Sequence, residues 1–385
     1  MSGTKTYDVA VVGAGVFGSW TALQLARRGR RVVLLEAYGP GHSRSSSGDE
    51  SRIIRMGYGP DEIYTQWSQR SLILWKELFA ATRNEELFQQ TGVLWLAEPQ
   101  NEMLRATREV LTCCGVNFAE LDRTALIERY PQINYDGIAN GIYEPESGVL
   151  LARRAVAATV AEAVRLGVQY RVADVIAPRE CGKVSSIHTR SGEKILAEEF
   201  VFACGAWLGK LFPRVLGGRI FPTRQIVFYF GVPAGNEAFS PPALPTFLFK
   251  TDESYGMPNL ESRGVKIGMD MHGEKVDPDT QSRIVTPQES ERVCQYAGFR
   301  FPALKNAPIV ETRVCQYENT SSGDFLIDRH PETDNVWFVG GGSGHGFKHG
   351  PAVAEYVAGR LLDNAKSDPR FSLANKETVQ KRTVY

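Results

Sequence analysis

The chain has 385 residues, which is long enough for two domains and a sizeable core. Its 44 Lys and Arg residues balance its 44 Asp and Glu residues, so no global charge favours nucleic acid or an anionic membrane surface. No run reaches the roughly 18 apolar residues that a membrane span needs. The cysteines lack C-x-x-C spacing, and the first predicted strand begins too near the N-terminus for a cleaved signal peptide. We therefore expect a cytoplasmic protein with reduced thiols and no metal site.

A glycine-rich motif follows the first predicted strand, which covers residues 7–12. Gly13, Gly15 and Gly18 have the G-x-G-x-x-G spacing, a helical pattern follows, and the next predicted strand leads to Glu36. In this motif the first glycine permits a tight turn, the second lets a pyrophosphate approach the backbone, and the third lets the helix pack closely on the strand. The helix N-terminus offers N–H groups to phosphates, and Glu36 is placed to bind a ribose diol. The sequence thus predicts a Rossmann-like unit that binds a dinucleotide.

The remaining predicted elements change in character along the chain. Helices are predicted at 61–80, 102–114, 153–166, 287–300 and 351–362, and strands at 91–97, 168–175, 183–196 (a hairpin), 200–207 (ending in a small-residue turn), 225–231, 246–250, 264–269 and 335–340. Residues 130–148 are rich in turn formers, and residues 39–52 form a loop of glycine, hydroxyl and arginine residues. This loop is equally consistent with a contact to a phosphate or ring system and with a flexible surface segment.

The fold class that these patterns predict is α/β (α+β overall), with a Rossmann-like cofactor domain and an inserted, mostly antiparallel substrate domain. The cofactor domain is discontinuous and covers residues 1–85, 149–219 and 322–385. The substrate domain covers residues 86–148 and 220–321, and short strands with Pro and Gly turns predominate in its second part. Near the C-terminus, a strand, a second glycine loop (residues 341–348) and a helix again present N–H groups and a helix dipole to an electron-rich ligand.

Five segments occur in one order and spacing that is more specific than the glycine motif alone. They are Gly13–Gly18 with Glu36, Gly48–Arg55, Cys315-x-Tyr317, Asp324–Asp328 and Ser343-Gly-His-Gly-Phe-Lys348. With these segments the chain resembles the monomeric sarcosine oxidase family, which includes N-methyltryptophan oxidase and pipecolate oxidase and is related to the fructosyl-amino-acid oxidases. The resemblance runs from about residue 7 to residue 362.

The resemblance implies FAD as the cofactor, attached covalently through Cys315 to the flavin 8-methyl group. Arg52 matches an arginine beside the flavin, where positive charge favours electron uptake. Read without the resemblance, Cys315 is a small apolar residue of a strand. The cofactor-binding residues predicted in this way are Gly13, Gly15, Val16, Phe17, Gly18, Glu36, Ala37, Arg44, Ser45, Ser51, Arg52, Val175, Cys204, Gly205, Trp207, Cys315, Gly342, Gly344, His345, Gly346, Phe347 and Lys348.

The resemblance also assigns residues to the substrate. Arg55 and Lys348 match the residues that hold the substrate carboxylate, and two cations would fix the α-carbon near flavin N5. Lys266 matches a lysine that promotes the reaction with oxygen, although its residue type and strand also suit an exposed strand edge. Tyr255 and Tyr317 match tyrosines of the active site, with aromatic core packing as the alternative.

Two departures from the family pattern concern the substrate. Asp270, which we count among the catalytic and substrate-binding residues, stands where sarcosine-type enzymes carry a histidine. The loop of residues 47–52 lacks another family histidine and is one residue longer. A buried carboxylate beside the amine favours a larger, more polar or doubly charged substrate over plain sarcosine. Alternatively, His272 supplies the imidazole if the strand register differs by two residues.

The predicted function is FAD-dependent oxidation of the secondary amine of an N-substituted α-amino acid. Hydride passes to flavin N5, the imine is hydrolysed, and dioxygen is reduced to hydrogen peroxide. The expected protein is a monomer whose partners are a small amine and dioxygen. Four alternatives stay open: a fructosyl-amino-acid oxidase, a dehydrogenase that uses a quinone or carrier protein, a non-catalytic flavin-binding protein and an NAD-dependent dehydrogenase.

Overall fold

Within residues 6–381, which the computed structural model describes, the strands form two eight-stranded sheets and one three-stranded sheet. The first elements are β1 (Thr6–Val12), α1 (Val16–Arg27), β2 (Val32–Glu36), β3 (Arg52–Ile54), α2 (Glu62–Thr82), β4 (Phe88–Gln89), β5 (Val93–Ala97), α3 (Glu102–Cys113), β6 (Ala119–Asp122), α4 (Arg123–Arg129), β7 (Asn140–Glu144) and β8 (Gly148–Leu150). They are followed by α5 (Ala152–Arg165), β9 (Gln169–Val172), β10 (Val175–Ile176), β11 (Ser186–Thr189), β12 (Lys194–Phe202), α6 (Leu208–Leu211) and α7 (Pro213–Leu216). The last elements are β13 (Phe221–Phe230), β14 (Thr246–Phe249), β15 (Ser254–Met257), β16 (Val265–Met269), α8 (Pro287–Arg300), β17 (Ile309–Asn319), β18 (Leu326–Arg329), β19 (Val336–Gly340) and α9 (Gly350–Leu362).

The first large sheet has the strand order β10-β11-β12-β1-β2-β9, and β19 pairs with both β12 and β18. At its centre β1 is parallel to β12 and to β2. The apolar run of β1 is buried on both faces, as is usual for a parallel strand. Val9 and Val11 pack with Trp20 of α1, whereas Ala10 packs with Phe202 on the opposite face. The carboxyl ends of β1, β2 and β12 therefore meet at one edge of the sheet, where such folds bind ligands.

The second large sheet has the strand order β17-β13-β16-β15-β14-β5-β7-β6 and is antiparallel except between β14 and β5. Its strands lie within residues 93–144 and 221–319. Successive side chains of a strand point to opposite faces. Phe247 thus enters an aromatic core, whereas its neighbour Leu248 and the cross-strand residue Tyr255 line a cavity. One face of this sheet forms its own core, and the other face contributes to a site.

The three-stranded sheet has the order β3-β8-β4 and joins segments that are distant in sequence. Arg52 pairs with Leu150, and Ile54 pairs with Gly148. This pairing anchors the end of the polar loop 39–52 to a second segment of backbone. The orientation of Arg52 therefore depends on both the loop and β8.

The predicted fold class is confirmed, and the long elements lie close to their predicted ranges. The single strand predicted at 168–175 is divided into β9 and β10. The second strand of the hairpin predicted at 183–196 continues into the strand predicted at 200–207, and these two predicted strands together form β12. The turn-rich stretch 130–148 contains β7. The long strand β17 was not predicted as an element, because its stability comes from pairing with β13, which local sequence does not show. Residues 1–5 and 382–385 of the predicted cofactor domain lie outside the described residues.

Replacing Gly18 with Ala should destabilise the protein by about 1–3 kcal/mol through overpacking. Gly18 lies where α1 crosses β1, and a Cβ atom there would be 1.8 Å from the carbonyl oxygen of Gly13. The helix must shift away from the sheet, so thermal unfolding should begin at a lower temperature. Gly209→Ala is the matched control, because its Cβ atom would meet nothing closer than 3.5 Å. Equal Tm values for the two variants would contradict the close-packing role of Gly18.

Candidate active site

A cavity of about 340 Å³ lies at the carboxyl ends of β1, β2 and β12. Its walls are the first glycine motif, the loop after β2, the turn after β12, the end of β17 and the second glycine loop. We call it the large cavity. These segments come from the front, middle and rear of the chain, so only the folded chain assembles them.

The first glycine motif forms a cradle that suits a phosphate. Gly13 has φ +100°, and a Cβ atom there would lie 2.4 Å from the carbonyl oxygen of Ala203, so only glycine fits. The helix α1 begins at Val16, whose N–H donates to Ser47 Oγ (3.1 Å), and the N-cap residue Gly15 provides no side-chain cap. The first turn of a helix has N–H groups without an intrahelical partner. The N–H group of Phe17, which lines the large cavity, is therefore available to an anion, as at other helix N-termini.

Glu36 occupies the position that its place at the end of β2 predicted. It lines the large cavity, and its carboxylate accepts from the N–H groups of Ala14 (2.7 Å) and Tyr38 (3.1 Å). Burial raises the pKa of Glu36 despite these two bonds. The neighbouring His42 lines the same wall, and burial lowers its pKa to about 4, so that its ring is neutral at pH 7. Glu36 and the neutral ring of His42 therefore make this wall of the cavity polar without adding a positive charge to it.

A second cavity of about 70 Å³ adjoins the first one, and we call it the small cavity. Both are lined by Arg52, Tyr317, Gly344 and Phe347, which mark the border between them. The other residues of the small cavity are Ile53, Arg55, Leu248, Tyr255, Met257, Asp270, His272, Ser343, His345 and Lys348. The second sheet and the second glycine loop thus enclose a polar compartment beside the large cavity.

Arg55 and Lys348 are two buried cations of the small cavity. The Lys348 ammonium donates to Tyr58 Oη (2.7 Å) and to the carbonyl oxygen of His345 (3.1 Å). The Arg55 guanidinium lies 4.2 Å from the ring centroid of Tyr58 and 4.7 Å from that of Trp95. Neither cation has a carboxylate oxygen within 4.0 Å among residues 6–381. Burial lowers the pKa of Lys348 well below its usual value, and Arg55 lowers it further, so the pair favours an anionic ligand.

The position of Arg55 depends on Glu144, a buried carboxylate that the sequence patterns did not single out. Its oxygens accept from the N–H groups of Met56 (2.7 Å) and Gly57 (2.9 Å) and from Trp95 Nε1 (2.7 Å). Glu144 therefore fixes the backbone after Arg55 and one of the rings on which the guanidinium stacks. It ends β7, within the stretch that was interpreted as turns, so no local signal marked it.

Asp49 links the loop after β2 to the second sheet. Its Oδ2 accepts from Lys266 Nζ (2.6 Å) and from the Arg52 guanidinium, and its Oδ1 accepts from Tyr229 Oη (3.2 Å). Burial opposes ionisation, but the charges of Lys266 and Arg52 outweigh it and hold the pKa of Asp49 well below its usual range. Arg52 Nη2 also lies 3.4 Å from Cys315 Sγ. Arg313 Nε lies 3.9 Å from Asp49 Oδ1 as well, so this carboxylate gathers cations, Arg52 among them, beside the predicted flavin tether.

Two polar residues lie on one wall of the small cavity, Asp270 and His272. Tyr317 Oη lies 3.4 Å from Asp270 Oδ1, and His272 Nδ1 lies 2.8 Å from Gln380 Nε2. Burial raises the pKa of Tyr317 and of Tyr255, so both phenols are neutral donors at ordinary pH. Asp270 and His272, the two residues between which the sequence left the choice open, both line the small cavity.

The structure brings most of the predicted site residues together. Predicted cofactor residues that line the large cavity are Gly13, Gly15, Val16, Phe17, Glu36, Ala37, Ser45, Arg52, Val175, Cys204, Gly205, Trp207, Gly342, Gly344, Gly346 and Phe347. Predicted residues that line the small cavity are Arg52, Arg55, Tyr255, Asp270, Tyr317, Gly344, His345, Phe347 and Lys348. Predicted residues outside both linings are Gly18, Arg44, Ser51, Lys266 and Cys315. Of these, Lys266 donates to the carbonyl oxygen of Ser51 (3.0 Å), and Cys315 contacts the lining residue Arg52.

The sequence analysis missed several polar residues of the large cavity. They are Tyr38, His42, Ser46, Ser47, Asp174, Arg190, Lys210, Asp279, Gln316 and Glu318. Four of them belong to the loop after β2, and three of these lie in the stretch 39–52, whose composition was equally consistent with a ligand contact and with a flexible surface segment. Asp279 instead comes from the segment before α8 and accepts from Trp207 Nε1 (2.8 Å) and Lys210 Nζ (2.5 Å). A contact between such distant segments leaves no local signal in the sequence.

The charged groups of the site are arranged in pairs and small clusters, such as Asp49 with Lys266. Within residues 6–381 no group of three or more His, Cys, Asp or Glu residues could hold a metal ion. No helix in that part of the chain is long and apolar enough to cross a membrane.

Known proteins that resemble this chain in sequence and fold carry the names of oxidases and dehydrogenases. The family model described as FAD dependent oxidoreductase matches residues 8–360. Monomeric sarcosine oxidase of Bacillus sp. (strain B-0618) is 31% identical, covering 98% of this chain and 99% of its own length. N-methyl-L-tryptophan oxidase of Escherichia coli O139:H28 is 27% identical, covering 94% of this chain and 96% of its own. The crystal structure of L-proline dehydrogenase from P. horikoshii has the same fold, with a TM-score of 0.84 and 22% identity over 96% of this chain and 97% of that chain.

The family model and the relatives make the chain an oxidoreductase, and the large cavity fits a dinucleotide. The chain belongs to the FAD-dependent oxidoreductase family, and the predicted likeness to the sarcosine oxidases is confirmed. The residues present fit FAD. The glycine cradle and the N-terminus of α1 suit the pyrophosphate, Glu36 suits the ribose, and the second glycine loop borders both cavities.

Replacing Asp49 with Ala should lower the free energy of unfolding by about 3–5 kcal/mol at neutral pH, because Lys266 and Arg52 then keep buried charges without a counterion. The depressed pKa of Asp49 means that its contribution is present above the unfolded-state pKa, near 4, and is lost as the pH falls further. Denaturant unfolding should show a difference between wild type and variant that shrinks below about pH 4.

The control for this experiment is Asp363→Ala, which removes an exposed ion pair with Arg28. Exposed pairs contribute about 1 kcal/mol or less, so this variant should stay close to wild type. If Asp49→Ala were no more destabilising than Asp363→Ala, the Asp49 cluster would not stabilise the fold.

Proposed function

We propose that the chain oxidises the secondary amine of an N-substituted α-amino acid, acting as a monomer with dioxygen as the electron acceptor. The observation that carries this proposal is the pair of buried cations Arg55 and Lys348, which lies beside the large cavity and has no ion-pair partner among the described residues. An amino-acid carboxylate would neutralise both charges, and charge-assisted hydrogen bonds would orient it. The relatives support this proposal, since sarcosine and N-methyl-L-tryptophan are both N-methyl amino acids.

The residues at the border of the cavities would position the substrate for reaction. FAD, when bound, supplies the hydride acceptor and the route for electrons to dioxygen. With the carboxylate held by Arg55 and Lys348, the carbon next to the nitrogen would face the border formed by Arg52, Tyr317 and Phe347. Holding the carboxylate with two cations in this way converts binding energy into orientation. No side chain need act as a strong base if the pocket binds the amine in its neutral form.

We further propose that the substrate carries a polar or second charged group. Asp270 and His272 share one wall of the small cavity, and Tyr317 lies within 3.4 Å of the Asp270 carboxylate. A carboxylate at this position would attract an ammonium group or accept hydrogen bonds from hydroxyls. This favours a larger and more polar N-substituted amino acid over sarcosine, with a fructosyl-amino acid as the alternative.

We propose that the flavin is covalently attached through Cys315. The guanidinium of Arg52 lies 3.4 Å from Cys315 Sγ. Cys315 lies on β17 two residues before Tyr317, which is at the border of the two cavities. A cation beside the sulfur favours attack by the thiolate, which is the nucleophilic form. The bond would join the sulfur to the flavin 8-methyl carbon, which would lose one hydrogen as a proton; the two electrons released would stay on the flavin and then pass to dioxygen.

We propose that Lys266 assists the reaction with dioxygen through the charge of the Asp49 cluster. Its ammonium bonds to Asp49 and to the carbonyl oxygen of Ser51 and lines neither cavity. The charge of Lys266 therefore acts together with that of Arg52, which lines both the large and the small cavity. Positive charge near the site of reduction lowers the energy of the negative charge that develops as dioxygen accepts electrons.

An anaerobic reduction screen tests the proposed function. Purified holoenzyme is mixed with sarcosine, N-methyl-L-tryptophan, pipecolate, proline or a fructosyl-amino acid, and the loss of flavin absorbance is recorded. We expect at least one N-substituted amino acid to reduce the flavin, and air should then restore the colour and produce hydrogen peroxide. Reduction without peroxide would indicate a dehydrogenase, and no reduction by any of these amino acids would reject the proposal.

Replacing Lys348 with Met should weaken binding of the reactive amino acid about 10–100-fold, because a hydrogen bond to a charged group contributes about 1.5–3 kcal/mol. The carboxylate should raise the depressed pKa of Lys348, so the advantage of wild type over the variant should shrink as the pH rises and Lys348 loses its proton. Titration of the substrate amine affects both proteins equally and cancels in this ratio. Binding is measured anaerobically by perturbation of the flavin spectrum.

Two controls separate a carboxylate clamp from a general defect. The carboxamide of the same amino acid should bind wild type and Lys348→Met with similar affinity, because it has no charge to pair. Lys305→Met, at an exposed position, should leave both affinities unchanged. Equal losses for the acid and its amide in Lys348→Met would rule out the clamp.

Replacing Cys315 with Ala should release the flavin under denaturing conditions. In wild type, acid precipitation should leave the yellow colour in the protein pellet, because a thioether survives unfolding. In Cys315→Ala the colour should move to the supernatant, whereas Cys204→Ala should behave as wild type. A pellet of Cys315→Ala that stays yellow would assign the tether to another residue.

A further inference from the structure

Glu318 is a buried carboxyl group in the wall of the large cavity that none of the roles above uses. It lies on β17, one residue after the border residue Tyr317, and only 6% of it is exposed. Its Oε1 atom is buried and has no hydrogen-bond partner. A buried polar atom without a partner costs about 1–3 kcal/mol. Because Glu318 also lines the large cavity, its carboxyl group has the place and the unused bonding capacity to meet a bound ligand.

The comparison with Glu144 shows how different this carboxyl group is. Glu144 is equally buried, but its oxygens accept four hydrogen bonds, from two N–H groups, the Trp95 ring and Ser147 Oγ. A carboxylate that only supports the fold is satisfied in that way. Glu318 instead presents an unpaired oxygen where the second glycine loop approaches, and a Cβ atom on Gly340 would lie 2.4 Å from that oxygen. Glycine at this position leaves the space that the carboxyl group occupies.

The surroundings of Glu318 favour the neutral acid over the carboxylate. Burial raises its pKa to about 7, although the N–H groups of Gly341 and Gly342 act in the opposite direction. On the paired strand β13, its register partner is the uncharged Pro222. The titratable groups that interact with the facing thiol Cys204 are Glu318 itself, Glu36 and Asp174, all acids. No described cation lies within 4.0 Å of the Glu318 carboxyl group.

The position of Glu318 identifies the part of the cofactor that it meets. Glu318 lines the large cavity together with the Gly13–Gly15 cradle and Glu36, which suit the ADP portion. It also directly follows Tyr317, which with Arg52 borders the small cavity where chemistry is expected. The part of FAD that joins these two portions is the ribityl chain with its pyrophosphate, rich in hydroxyl and phosphate oxygens. A carboxylate would repel the phosphates, whereas a neutral acid can donate to either kind of oxygen.

We propose that Glu318, as a neutral carboxylic acid, donates a hydrogen bond to the ribityl–pyrophosphate linker of FAD and so makes cofactor retention depend on pH. The proposal rests on the FAD dependence of the family and is independent of which substrate is oxidised. Because the protonated form binds the linker, ionisation of Glu318 weakens the hold on FAD. Retention should therefore be strongest at low pH and decline as the pH rises past about 7.

The test measures FAD release from the holoenzyme, in a Cys315→Ala background that removes any covalent bond. The fluorescence of liberated FAD gives the dissociation constant between about pH 6 and pH 9. In the parent, this constant should rise above pH 7 by up to about tenfold per pH unit. With Glu318→Gln, which keeps the size and a donor but cannot ionise, it should stay within about threefold of the parent at pH 6 and become independent of pH. With Glu318→Ala it should be about tenfold weaker already at pH 6.

The matched control is Glu199→Gln in the same background. Burial also raises the pKa of Glu199, but its carboxyl group accepts from Trp337 Nε1 (2.8 Å) and does not line the large cavity. This variant should keep the pH profile of the parent. If the parent and Glu318→Gln had the same pH profile, or if Glu318→Ala retained FAD like the parent at pH 6, the proposal would be overturned. The isosteric Gln variant carries the test if the Ala variant does not fold, and the assay needs no turnover, so failure of the amine-oxidase proposal would leave it valid.

Discussion

The buried carboxylate of Asp49 is the constraint on which the arrangement of the site depends. It belongs to the loop that leaves the first sheet, yet it bonds to Lys266 of β16 and to Tyr229 of β13 in the second sheet. Displacement of either sheet would leave buried charges unpaired, so the two sheets are held in one relative position. The same carboxylate binds Arg52 and holds it at the border of the two cavities. A contact that stabilises the fold therefore also sets the charge beside the cofactor.

The site combines ionic groups that the protein satisfies with others that it leaves for ligands. Asp49 and Glu144 have all the partners that a buried carboxylate needs. Arg55 and Lys348 have neutral partners but no counterion among the described residues, and Glu318 has a free oxygen. Buried groups of the first kind stabilise the fold, whereas groups of the second kind are costly until a ligand arrives. This difference in satisfaction separates the structural acids from the groups that we assign to substrate and cofactor.

Close approach of backbones explains why glycine recurs around the large cavity. A Cβ atom on Gly13 would collide with the carbonyl oxygen of Ala203, just after β12, and one on Gly18 would collide with that of Gly13, so helix, strand and turn can meet only without side chains there. Gly340 has a related role, because it makes room for the Glu318 carboxyl group. In each case the absence of a side chain lets a polar atom reach the position where a ligand can use it.

Sequence alone determined the local and the motif-based features of this protein. The apolar run of β1, the glycine spacing and Glu36 predicted the cofactor end, because these features depend on residues within one βαβ unit. The order of the distant motifs identified the family and, through it, Arg55, Lys348 and Tyr317. Tertiary structure decided the rest: that Lys266 pairs with Asp49 and lines neither cavity, that Glu144 supports Arg55, and that Asp279 reaches Trp207. These are contacts between residues far apart in the chain, and periodicity and spacing report only on neighbours along the chain, so no local pattern contains them.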